Sequence, residues 1–272
     1  MNPFLIPTIA GTFGFFFLGI WLSYRVTSRP QQLLLVILGV ATAIPAFLFV
    51  IFYTGVLGEA GWFYSFRAVP GTELAACGIG LFAGWLQAKR NQSPRVSKLM
   101  SAGFIPFLLL ICVTIPYLKQ VFLRPHWGDF RNRWSEDVCL QSSEFSCGPA
   151  SAATLLRLFG KPALEKEIAQ ESFTSRRGTE NWYLIRTLRR RGLNAEYSIG
   201  TPNNLGLQSP SIIGVRLGGK TGSGHYITIL GKETNGFIIG DPLSGREVWT
   251  EKKLLDHYYF TGFSIWVTTN SP

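Results

Sequence analysis

Four apolar runs almost free of charge stand within the first 120 residues, Phe4 to Tyr24, Gln32 to Val56, Thr72 to Leu86 and Leu99 to Leu118, and they constrain this chain more than any other feature. A helix needs about 20 apolar residues to cross a bilayer. Three of the runs reach that scale, and the third gains length when Gln87 and Ala88 join it. The expectation is a membrane domain of four transmembrane helices over residues 1–120, set in a lipid bilayer, and a soluble domain over 121–272. A mean hydropathy of +0.19, high for a purely soluble enzyme, has its source in the first part.

The loops between the runs carry two basic residues (Arg25, Arg29), then one (Arg67), then four (Lys89, Arg90, Arg95, Lys98). The positive-inside rule puts the first and third loops in the cytoplasm and both chain ends outside. Lys119 and Arg124 argue the other way, but a long domain crosses largely regardless of charge. The first run has no basic start and no small-residue cleavage site before Arg25, so it reads as an anchor and not as a removable signal. These features predict an integral protein of a bacterial inner or plasma membrane with residues 121–272 on the extracytoplasmic side.

The soluble part has 18 basic and 14 acidic residues, a net of +4 out of the chain's +10. Its one basic cluster, "RTLRRRG" at 186–192, lies on a helical pattern with Trp182, Leu184, Ile185 and Leu188 and reads as a solvated face. Without interleaved aromatic and basic residues, nucleic acid is not an expected partner. Residues 121–146 read as a connector. Helical patterns follow at 148–159, 163–171 and 179–191, with the polar turn "TSRRGT" before the third, and then a strand, "NAEYSI". From 210 the period changes to two: "SIIGVRL", "HYITILG", "GFIIGD", a short helix "EKKLLDHYY", then "FSIWVT". Helices followed by an antiparallel sheet make an α+β fold. Residues 214–221, "GVRLGGKT", have the spelling of a phosphate-binding loop, but the chain runs on into a strand where that loop needs a helix N-terminus, so they read as a hairpin.

Thiol chemistry needs the thiolate, which a helix N-terminus and a neighbouring histidine both favour. Cys147 stands directly before Gly148 and Pro149 at the mouth of a good helix, "ASAATLLRLF". His225 opens the strand "HYITILG", and Asp241 ends the next one. If the connecting loop is 232–236, paired residues sum to about 468 and His225 is a diagonal same-face neighbour of Asp241. A tight Asn235-Gly236 turn instead sends Asp241 to the other face, so the pattern allows the contact without forcing it. A helix-start cysteine, a strand-borne histidine and an orienting carboxylate form a base-activated nucleophile. Gln141, six residues before Cys147, can add a side-chain donor for an oxyanion.

The motifs Gln141-x5-Cys147-Gly148-Pro149-Ala150, "GHYITILG" from 224 and "IGDPLSG" from 239 resemble the papain-like peptidase family that trims double-glycine leader peptides during bacteriocin export. The resemblance spans roughly 139–270. It implies a Cys147, His225 and Asp241 triad with Gln141 in the oxyanion hole, and a peptide or precursor protein as substrate. In exporters of that family the peptidase stands ahead of transport helices and an ATPase, facing the cytosol. Here it follows the apolar runs and is expected to face outward, so the resemblance implies the fold and peptide-bond chemistry more strongly than the double-glycine substrate, a cytosolic placement would restore leader processing as the first choice, and any transporter or secretion partner is unidentified.

The expected function is therefore a membrane-anchored cysteine peptidase. Its rivals are a leader-binding domain of the same fold that does not cut, a thiol acyltransferase, and a transport or receptor role for the membrane half. The last is disfavoured because the runs show no deeply embedded charge. Cys139 reads as a connector thiol, or alternatively as a disulfide partner that locks Cys147 off. Cys77 and Cys112 read as packing residues of the membrane helices, and His126 and His257 as structural or solvated. No Cys, His or Asp grouping has metal-ligand spacing, so no cofactor is expected.

Overall fold

The computed structural model describes residues 2–53, 60–92, 117, 119–199 and 208–269. It divides into two compact units, Met1–Gly58 with Pro70–Phe122, and Glu59–Val69 with Leu123–Pro272.

In the first unit, α1 (Leu5–Arg25) and α2 (Arg29–Tyr53) are each long and apolar enough to cross a membrane. Their large side chains, among them Phe13, Phe17, Leu33 and Ile37, point outward, as those of lipid-facing helices do. The third run is not one α-helix. A 3-10 segment, Thr72–Gly78, follows Gly71, whose φ of +86° breaks the helical path, and the α-helical part is short. Counted together with the helix Gly61–Arg67 that precedes it, this stretch makes at most a third span. Apart from Tyr117, the fourth run lies outside the described residues, so of the four expected spans two are clear and a third is conditional. The α-helical part, which follows a further short helix, packs on α1 through glycines: a Cβ at Gly80 or Gly84 would stand 2.1 or 2.0 Å from the carbonyl oxygens of Thr12 and Phe16. Such close backbone approach is how helices associate where water supplies no drive. At the start of the third run Glu73 is buried in the protein and accepts a hydrogen bond from Asn2 Nδ2 at 3.1 Å.

The second unit begins with a segment the sequence reading assigned to the membrane part. Helix α3 (Gly61–Arg67) buries Phe63 and Tyr64, and Tyr64 stacks on Trp182 with ring centroids 6.1 Å apart and also meets Tyr197 and Phe263. Arg186 donates from Nε and Nη2 to the carbonyl of Arg67 (2.9 and 2.6 Å) and from Nη2 to that of Val69 (2.8 Å). The "RTLRRRG" cluster is therefore not uniformly solvated. Arg186 is buried, and Arg191 pairs with Glu167 and Glu171. Helix α4 (Ile79–Gln92) belongs to the first unit, and the second unit continues through a small hairpin, β1 (Arg133–Ser135) and β2 (Val138–Leu140), inside what the pattern suggests is a bare connector.

Helices α5 (Cys147–Leu158), α6 (Glu165–Glu171) and α7 (Asn181–Arg190) come next. The strands are β3 (Leu193–Ile199), β4 (Ser211–Leu217), β5 (Ser223–Glu233), β6 (Gly236–Asp241), β7 (Gly245–Trp249) and, after α8 (Glu251–His257), β8 (Tyr258–Thr269). They form one antiparallel sheet in the order β3-β8-β4-β5-β6-β7. One face of the sheet packs Ile212, Ile265 and Val267 against Ala150, Leu155, Leu184 and Leu188 of the helices. Alternate residues, Ile213, Ile227, Ile239 and Trp249, make a second cluster with Leu254 of α8.

Candidate active site

The loop between β2 and α5 is tied into a knot of short-range hydrogen bonds. Ser146 Oγ accepts from the amides of Ser142 (3.1 Å) and Ser143 (3.0 Å) and donates to the carbonyl of Ser143 (3.0 Å). The carboxylate of Glu165, fully buried at 0% exposure, braces the same loop: Oε1 accepts from the amide of Ser142 at 2.9 Å and Oε2 from its hydroxyl. Helix α5 starts from this fixed loop. The first intrahelical acceptor, the carbonyl of Ser146, is taken by Ala150, so the amides of Cys147 and Gly148 lie at the end where no intrahelical partner exists. Gly148 keeps the packing close: a Cβ there would stand 3.1 Å from Leu184 Cδ1 and 3.3 Å from both Thr179 Cβ and Tyr226 Cδ2. Ser151 Oγ then donates to the carbonyl of Tyr226 at 3.2 Å, which couples the helix to the strand residue next to His225.

The hairpin β5–β6 resolves the two registers left open by the sequence. Its turn is tight, with Glu233 opposite Gly236, so Thr234 and Asn235 form the loop. The register then shifts between Ile229 and Gly231, and beyond that irregularity Ile229 pairs with Ile239 and Thr228 with Gly240. A bulge thus restores the sum of 468 that the longer loop implied, and Asp241 lies on the face of His225. His225 Nε2 is 2.8 Å from Asp241 Oδ1. Asp241 Oδ1 also accepts from the amide of Leu243 at 2.8 Å, and Oδ2 accepts from the hydroxyl of Tyr258.

Burial disfavours the charged imidazole, but hydrogen bonds to Asp241 and to the Cys147 thiol outweigh it and hold His225 up at about 9. With Nε2 engaged by Asp241, Nδ1 is the nitrogen left for the thiol. Burial likewise works to raise Asp241, yet the bonds from His225, Tyr258 and Leu243 keep its carboxyl below the usual range. Burial and the adjoining carboxylate push the Tyr258 hydroxyl well up, so it stays a donor.

Gln141, Cys147 and His225 line one open cleft of about 800 Å³. The Gln141 backbone amide donates to the carbonyl of Pro242 at 2.9 Å, which fixes it beside Asp241, and its Nε2 donates to the carbonyl of Ser143 at 2.8 Å. One hydrogen of that amide therefore remains for another acceptor. All four sequence-predicted residues are brought together, three on the cleft and Asp241 behind His225. Sequence reasoning overlooked Tyr258, because "EKKLLDHYY" reads as helix to its end although the strand already begins at Tyr258. It also overlooked Glu165, which resembles an ordinary exposed acid at a helix start.

The disulfide considered for Cys139 is absent, since Cys139 and Cys147 are both free thiols. Cys139 is sealed in the core with its amide bonded to Thr154 Oγ1 at 2.9 Å, and burial pushes its thiol up to about 12. His126 pairs with Asp129 on the surface, and His257 packs edge-on against Trp249. Among the described residues no group of three or more His, Cys, Asp or Glu is placed to hold a metal ion.

A thiol at a helix start, set against a histidine and a carboxylate from an antiparallel sheet, is the arrangement of the papain-like cysteine peptidases. Within that class the chain belongs to the Peptidase C39 family, whose model matches residues 135–271, just over half of the chain. It is 33% identical over 128 residues to an uncharacterized protein of Methanothermobacter thermautotrophicus, covering 47% of this chain and 84% of that protein. An uncharacterized protein of Methanothermobacter marburgensis is 33% identical over 112 residues, covering 41% of this chain and 75% of that one. Among solved structures, the peptidase domain of Streptococcus ComA, a bi-functional ABC transporter involved in a quorum sensing pathway, matches at 21% identity with a TM-score of 0.42, over 48% of this chain and 96% of that chain. A double glycine motif protease from an AMS/PCAT transporter, solved in complex with the leader peptide, matches at 22% identity with a TM-score of 0.43, over 52% and 95%.

Proposed function

We propose that this chain is a membrane-anchored cysteine peptidase in which His225 takes the proton of Cys147, the thiolate attacks a peptide carbonyl, and Asp241 orients the imidazole. The Cys147 amide and the remaining amide hydrogen of Gln141 hold the oxyanion. The protonated His225 then gives its proton to the leaving amine, and water releases the acyl-enzyme. The observation that carries this reading is the buried chain of contacts from the Cys147 thiol through His225 to Asp241 and Tyr258 at the floor of an open cleft.

We place the peptidase on the extracytoplasmic side. Loop charge supports that side, read together with Glu59–Val69, which follows α2 and packs as part of the peptidase unit. One folded unit occupies one compartment. The peptidase then shares the side of the loop after α2, opposite the Arg25/Arg29 loop.

The test needs no substrate. The rate of alkylation at Cys147, read by mass spectrometry across pH under reducing conditions, is expected to be high below neutral pH and to collapse in His225→Ala. Labelling that rises only near the ordinary thiol pKa of about 8.5 and ignores the substitution would replace this reading with that of a binding domain.

A further inference from the structure

The cleft above Cys147 is strongly one-signed. Besides His225, the charged residues on its walls are Arg176, Arg177 and Arg216 against a single acid, Glu144. Arg176 and Arg177 form the tip of a closed turn. The amide of Ser175 donates to the carbonyl of Gly178 and that of Gly178 to the carbonyl of Ser175, both at 3.0 Å. Below the tip, the hydroxyls of Thr174 and Thr179 are 2.7 Å apart, and Thr174, Ser175 and Thr179 are all buried. The two arginines are exposed and make no ion pair among the described residues. Facing them, Arg216 sits near the end of β4, with Nη1 donating to the carbonyl of Gly222 at 3.2 Å.

A buried, hydrogen-bonded base that presents two unpaired guanidiniums at its tip, across from a third held by a backbone carbonyl, is preorganised to receive carboxylates. Arginine suits this role because its planar fork meets a carboxylate with two parallel donors. We infer that the cleft selects peptides carrying aspartate or glutamate on the segment lying between the "SRRG" turn and the β4–β5 hairpin, and that Arg176, Arg177 and Arg216 are the residues that select them. This rests on the cleft being the peptide site.

The experiment uses the full-length protein in detergent with Cys147→Ala, so that peptides are held and not cut, and a random-sequence peptide library as the probe. Each exposed contact contributes roughly a factor of two, so with all three engaged acidic residues in the retained peptides should be enriched about eightfold. Enrichment should vanish in Arg176→Gln/Arg177→Gln/Arg216→Gln, fall without vanishing in the triple lysine variant, which keeps the charge and loses the fork, and weaken at about 0.5 M salt. Retained peptides without acidic enrichment, or enrichment that survives the glutamine substitutions, would overturn the inference. Exposing the same library to the protein with Cys147 intact tests the peptidase reading separately. Enrichment without cleavage there would remove the peptidase and leave the acidic preference standing, whereas cleavage at sites indifferent to acids would do the reverse.

Discussion

Replacing Glu165 with alanine examines whether the loop before Cys147 is built as described. The carboxylate receives two hydrogen bonds from Ser142, one from its amide at 2.9 Å and one from its hydroxyl, in a fully buried position. Hydrogen bonds to a charged group contribute about 1.5–3 kcal/mol each, so the pair contributes about 3–6 kcal/mol. Against this stands the burden of burying a carboxylate that no cation pairs with among the described residues, which offsets a few kcal/mol and leaves a net loss of about 3 kcal/mol. Cys139 provides the assay, because it is fully buried two residues before Gln141 and becomes reactive only when this part opens. Pulse-labelling of Cys139 through a urea series, read by mass spectrometry, gives an unfolding midpoint. With a slope of about 2 kcal/mol per molar, Glu165→Ala should lower it by about 1.5 M. Glu165→Gln keeps an acceptor for the Ser142 amide and should lower it by only about 0.5 M. A shift below about 0.5 M for the alanine variant would refute the bracing role.

Tyr258→Phe removes the donor on the second carboxylate oxygen of Asp241; turnover should fall about tenfold with KM unchanged, because the lost bond positions the histidine and touches no substrate. A loss in KM alone, measured on any peptide the protein cleaves, would contradict this. The His225 imidazole has a pKa raised from 6.5 to about 9 by folding, so it stabilises the native state fully below about 6.5, and that contribution disappears as pH rises through 9. The stability advantage of the wild type over His225→Gln, taken from urea midpoints, should accordingly shrink by about 3 kcal/mol between pH 6 and pH 9 or just above. An advantage constant across that range would mean the imidazole does not gain its proton on folding.

The elements around the site were legible where periodicity and local chemistry agree. Cys147-Gly148-Pro149 marks a helix start without ambiguity, and the alternation in β4, β5 and β6 is clean. What could not be read was register, because it depends on a bulge near Leu230 that cancels the effect of a turn tighter than the long-loop reading assumed. Strands of three residues, such as Arg133–Ser135, show no period at all. The membership of Gly61–Arg67 was hidden for a different reason. Its partners Trp182 and Arg186 lie more than a hundred residues away, and its own composition, Gly-Trp-Phe-Tyr-Ser-Phe-Arg, matches the apolar runs on either side. Glu165 shows the same limit for polar residues, since nothing nearby in sequence reveals that a charged side chain turns inward to a loop 23 residues earlier.

The placement of α3 also sets an order of events. Ribosomes deliver Glu59–Val69 well before any strand of the sheet, so this small helix is made before any of its partners. Until the two meet, Trp182, Tyr197 and Phe263 lack the rings that cover them, and the guanidinium of Arg186 lacks the carbonyls of Arg67 and Val69. Completion of the thiol domain is thereby made conditional on the return of Glu59–Val69, and a chain in which that segment is held elsewhere would carry its Cys147 in an unfinished fold.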